Sequence, residues 1–122
     1  MDLSEFQKTE IEGTIVSAFT KTLREYLKTK KNPVLEQVID DAFKNPDRLN
    51  VIVIAEVDGC AVDAFFMVPT NRRGWEKSNL KRFIDKNGLA MIDTDNPKDF
   101  KKWLGKKVAA KIDAKGYYRI AV

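Results

Sequence analysis

The sequence predicts an α+β fold, with an N-terminal helical hairpin followed by an antiparallel sheet and two further short helices. Three observations predict it. Apolar residues recur every four positions near the N-terminus, the pattern changes to period two at Val51, and a second alternating pair of segments closes the chain. A length of 122 residues suits one domain with one core, made of a helical hairpin over residues 1–45 and a β-rich part over 50–122.

The first expected helix starts near Thr9, where Thr9 and Glu12 have the spacing of a capping box. Ile11, Ile15, Phe19, Leu23 and Leu27 form its stripe, widened by Val16 and Tyr26, and Lys28, Lys30 and Lys31 suit its C-terminal end. A second helix follows Asn32-Pro33, with Val34, Leu35, Val38, Ile39, Ala42 and Phe43 on its apolar face. Asn45-Pro46 ends it, because the residue before proline avoids the α region.

Val51–Val57 and Cys60–Val68 then make a hairpin around Asp58-Gly59, a two-residue turn signal. Pairing across that turn sets Val57 opposite Cys60, Ala55 opposite Val62, Val53 opposite Ala64 and Val51 opposite Phe66. The other face holds Ile52, Ile54, Phe65 and Met67, so the hairpin is expected to be covered on both sides, with Cys60 buried and inert. Pro69–Trp75 reads as a loop. Ser78 caps a short helix with Leu80, Phe83 and Ile84 inward and Asn87-Gly88 as its stop. Leu89–Ile92 has the composition of a short strand, and Asn96-Pro97 opens a last helix with Phe100, Trp103 and Leu104 inward, closed by Gly105. Lys107–Asp113 and Tyr117–Val122 form the final hairpin around Ala114-Lys115-Gly116.

Composition excludes several chemistries. There is no histidine and a single cysteine, which removes Cys/His zinc sites, Ser-His-Asp triads and Cys-His dyads. Only carboxylate chemistry remains for an enzyme, no acid pair stands out, and none is expected. Asp93, Asp95 and Asp99 are closely spaced, but the glycine and distal glutamate of an EF-hand loop are missing. We expect neither a metal nor a cofactor. The lone Cys60, the absence of a membrane-length apolar run and an N-terminus without a basic flank or apolar core favour the cytoplasm. Scarce glutamine, at positions 7 and 37 alone, and abundant lysine lean towards a thermophilic source.

The net charge of +4 is uneven: residues 1–49 hold 8 basic and 9 acidic side chains, residues 50–122 hold 14 and 9. A basic C-terminal part suits a polyanionic partner. Within it, one face of the last hairpin carries Lys107, Lys111, Tyr117 and Arg119, the cations and aromatic that a single-strand binder needs for phosphates and for stacking on a base. Arg72, Arg73 and Trp75 form a second candidate group, in which Trp75 serves either as a stacking platform or as a core anchor.

The pattern Phe65-Phe66-x-Val68-Pro69, a short helix with Leu80 and Phe83, then Trp103-x-Gly105-Lys106-Lys107-Val108 and Gly116-Tyr117-Tyr118-Arg119-Ile120 resembles small OB-fold-like single-strand-binding proteins of archaeal and phage mobile elements. The resemblance covers about the last 70 residues. It implies a barrel-like sheet and binding through Tyr117, Arg119, Lys107, Lys111 and Trp75. A plain antiparallel sheet flanked by helices is the alternative architecture. The leading functional expectation is a non-enzymatic binder of single-stranded DNA or RNA. The second is a protein–protein adaptor or homodimer built on the N-terminal helices.

Overall fold

A computed structural model of the chain describes residues 11–29 and 46–121. Its first element corrects the expected N-terminal helical hairpin. Residues Ile11–Thr22 form a twelve-residue strand, β1, and only Leu23–Thr29 are helical, as α1. The second expected helix, beginning at Asn32, lies outside the described residues. Two physical reasons favour a strand over 11–22. Half of its residues are β-branched (Ile11, Thr14, Ile15, Val16, Thr20 and Thr22), which costs rotamer freedom in a helix and packs well on a pleated surface. A spacing of four is also two full strand periods, so it suits a strand as well as a helix.

β1 is the centre of the sheet. It pairs antiparallel with β2 (Leu49–Val57) on one side and with β4 (Lys107–Ile112) on the other. β2 pairs with β3 (Cys60–Met67), and β4 with β5 (Tyr118–Ile120), giving the order β3-β2-β1-β4-β5. A bulge between Ile15 and Ser17 changes the parity of β1. Ile15 and Ala18 therefore face Ala55 and Val53 on the core side, while Phe19 lies opposite Ile52 on the outer side. The stripe expected on one helix is divided between the two faces of β1 and the following α1.

The two expected hairpins match the structure. Val57 pairs with Cys60, Ala55 with Val62, Val53 with Ala64 and Val51 with Phe66. Asp58 and Gly59 both have positive φ, at 50° and 79°, as the tight turn requires. Ala110 pairs with Ile120 and Ile112 with Tyr118. The end strands β3 and β5 approach one another, so the sheet curls into a nearly closed barrel. Tyr118 at the start of β5 donates its hydroxyl hydrogen to Asp58 Oδ2 in the β2–β3 turn, at 3.0 Å.

Between β3 and β4 the chain forms α2 (Arg72–Glu76), α3 (Asn79–Asn87) and a 3-10 helix (Pro97–Trp103). α2 replaces much of the loop expected at Pro69–Trp75, because Asn71 caps it by accepting from the Gly74 N–H. Leu89–Ile92 is not a strand; Leu89 N–H closes α3 on Ile84, and the Ala90 carbonyl accepts from Trp103 Nε1 at 2.8 Å. Ser78 and Gly88 bound α3 as expected. Phe83 stacks on Phe66 with ring centroids 4.7 Å apart, and Trp103 meets Phe83 and Phe100 edge-on, joining the helices to the barrel core. Leu104, expected inward, is exposed.

α1 covers part of the outer sheet face. Tyr26 and Leu27 are buried against Ile52, with Phe19 beside them, and the Tyr26 hydroxyl donates to Asp63 of β3. Arg24 holds the other end of this connection through Nε and a terminal nitrogen on the two Asp47 oxygens, at 2.7 and 3.2 Å.

Candidate nucleic-acid interface

The last hairpin is organised by one carboxylate. Asp113 donates its N–H to the Tyr117 carbonyl at 2.9 Å, and its Oδ1 accepts the N–H groups of Lys115 and Tyr117 at 2.9 and 3.0 Å. Gly116 takes the positive φ of 86° that this three-residue loop needs. The second oxygen, Oδ2, accepts from Arg119 Nε at 3.1 Å. The Tyr117 N–H, with help from Arg119, holds the Asp113 carboxyl below its usual range. The turn thus aims Tyr117 outward, 63% exposed, while Arg119 lies opposite Lys111 on the outer side of β4–β5.

Of the expected site residues, Lys111, Tyr117 and Arg119 come together here. Lys107 sits at the far end of β4, four residues and roughly 13 Å from Lys111, where its Nζ donates to Thr14 Oγ1 at 2.7 Å. Arg72 and Arg73 are exposed on α2, outside this cluster. Trp75 is half-buried against the core and lines a small cleft with Val68, Pro69 and Ile92, which favours the anchor role.

The closing seam of the barrel adds what sequence reasoning missed. A groove of about 810 Å³ runs between β3 and β5, lined by residues 60–63, Phe65 and 116–119. Tyr117 and Arg119 form one wall, and Phe65 lies on the other. Phe65 is 41% exposed, so the outer face of the β2–β3 hairpin is only partly covered: Tyr26 meets the Phe65 ring edge-on at 5.5 Å, and one side stays open. Cys60, expected to be buried, is exposed at the start of β3 and lines the same groove. Period-two alternation had already put Phe65 on the outer face; the signal was there, but what would cover that face was not.

No family model, curated protein or solved structure matches the chain.

The arrangement offers flat apolar rings beside cations. Such a surface suits a ligand with an aromatic face and an anionic backbone. Among the described residues, Asp63 is the one acid lining the groove, and it accepts from Tyr26. Among the described residues, no group of three or more His, Cys, Asp or Glu side chains is placed to hold a metal ion; Asp93, Asp95 and Asp99 instead accept or donate within their own turn. Among the same residues, no helix is long and apolar enough to cross a membrane.

Proposed function

We propose that this protein is a non-enzymatic binder of single-stranded nucleic acid, with bases lodged in the groove between β3 and β5 and phosphates outward, near Lys111 and Arg119. The observation that carries the reading is the pairing of two exposed aromatics, Tyr117 and Phe65, across one open groove beside those cations. In a duplex both faces of each base are already stacked, so an aromatic floor favours unpaired bases. The five antiparallel strands in the order β3-β2-β1-β4-β5, with helices between the third and fourth, add support for an OB-like barrel, a fold used for oligonucleotide binding. A cytoplasmic location belongs to the same reading. The adaptor or homodimer reading loses part of its motive, because residues 11–22 of the stripe on which it rested are β1.

Fluorescence anisotropy with labelled single- and double-stranded oligonucleotides over a salt series tests the proposal. Binding should be tighter to single strands and should weaken as salt rises. The double variant Tyr117→Ala/Lys111→Ala removes a stack of about 1–3 kcal/mol and one cation, a loss of roughly tenfold to several hundredfold in affinity. Both side chains are exposed, so the fold should survive. Absence of binding at low salt would sink the proposal; unchanged affinity in the double variant would sink the surface.

A further inference from the structure

A second groove, of about 520 Å³, continues from the first along β3. Phe65 lines both. The second groove lies towards the Met67 end of β3 and is lined also by Arg48, Met67, Asn71, Lys77 and Asn79. Among the described residues that line it, the two charged ones are both cations, and both are exposed. The short β5 is why the groove is open there: it has three residues against the eight of β3, so it screens only the Cys60 end.

We propose that the two grooves form one site, in which a single strand runs along the free side of β3 from Tyr117, past Phe65, to a phosphate-binding end made by Arg48 and Lys77. The inference rests on the single-strand reading above and goes beyond it by assigning a direction of travel, two further contact residues and a site size. From Cys60 to Met67 the floor is eight residues of extended chain, roughly 25 Å. That length holds about seven nucleotides at the duplex spacing of 3.4 Å, and about four when the strand is stretched to twice that. A stretched strand is the one that fits separated aromatics, so the site spans about four nucleotides, the small end of the range for such barrels. Charge complementarity selects the occupant of the second groove: the charged residues among its described lining are two cations, which attract phosphate, while the uncharged Asn71 and Asn79 supply hydrogen-bonding groups.

The test is an anisotropy titration of labelled oligothymidylates, from the trinucleotide to the octanucleotide, against the natural protein and Arg48→Ala/Lys77→Ala. Affinity of the natural protein should climb steeply to about four nucleotides and flatten beyond. The double variant should lose about tenfold on the octanucleotide and far less on the trinucleotide, and its salt slope should be shallower by about 1.4, for two lost phosphate contacts on a single strand. If the natural protein binds and the variant matches it at every length, the continuous-site inference is overturned while the seam groove stands. An equal loss at every length also overturns it. If no oligonucleotide of any length binds, the single-strand reading itself fails. Circular dichroism of the variant checks that its fold is intact.

Discussion

Tyr118 and Asp58 are sixty residues apart in the chain, and a single hydrogen bond of 3.0 Å joins them across the barrel seam. That bond uses the phenol proton. Its acceptor is a carboxylate, whose charge would also repel a phenolate, and both effects raise the Tyr118 pKa above its ordinary value. A folded-state pKa raised above the unfolded one contributes stability that is fully present below the unfolded value. It is lost as pH rises through the folded value. The seam contact is therefore intact at neutral pH and fails in strong alkali, above about pH 10. Asp58→Asn removes the charge but keeps an acceptor, so the Tyr118 midpoint in a spectrophotometric titration should fall, with Tyr118→Phe assigning the signal. An unmoved midpoint would mean that the bond is not formed in solution. Asp113 works in the opposite sense. Its pKa is held down by the Tyr117 N–H and Arg119, so its contribution to the turn is present above the unfolded carboxyl value and lost as pH falls through the folded one.

At the scale of the element, β1 carries the most information. Its apolar spacing fitted two periods at once, and only its β-branched content distinguished them. Gly13 is there because β1 and β2 approach closely. A Cβ built at that position would lie 2.8 Å from Val57 Cγ2 and 3.4 Å from the Glu56 carbonyl oxygen. Since Val57 is fully buried, its methyl has little room to yield. Gly13→Ala should cost about 1–3 kcal/mol, the usual penalty of overpacking, read as a lower urea midpoint with an unchanged slope. In a helix the same change would be stabilising by up to about 1 kcal/mol, so the sign of the shift separates strand from helix at this position. The hairpins around Asp58-Gly59 and Gly116 were legible in register as well as in existence. There the turn residues sit next to the strands they join, and alternation decides which side chains face the core.

The distribution of charge belongs to the whole molecule. The net charge is +4, but cations are spread over α2, α3, the 3-10 helix and the sheet. Some are already engaged: Lys81 pairs with Asp85 at 2.7 Å and Lys102 with Asp99 at 3.7 Å, while Arg119 meets Asp113 through Nε, at 3.1 Å. If Lys111, Arg119, Arg48 and Lys77 are the phosphate contacts, the logarithm of affinity for a single strand should fall with the logarithm of salt at a slope of about −3. A slope near zero would mean that the aromatics bind an uncharged ligand. A much steeper one would mean that the helix lysines take part. Of the proposed site, Tyr117, Arg119 and Lys111 were legible as a group, because one hairpin with a readable turn presents all three. Phe65, Arg48 and Lys77 were not, because they reach the groove through three different parts of the chain.

By itself the sequence determined what depends on neighbours along the chain: turn positions, caps, strand alternation, the absence of histidine chemistry and the placing of cations and an aromatic on one hairpin face. Tertiary structure alone decided that residues 11–22 are a strand, that a bulge sends Ile15 and Phe19 to opposite faces, and that β3 closes on β5 to leave a groove beside Phe65. The reason is one of range. A period of four is compatible with both backbone geometries until β2 and β4 offer their hydrogen bonds on either side of β1, and those partners lie far away in sequence.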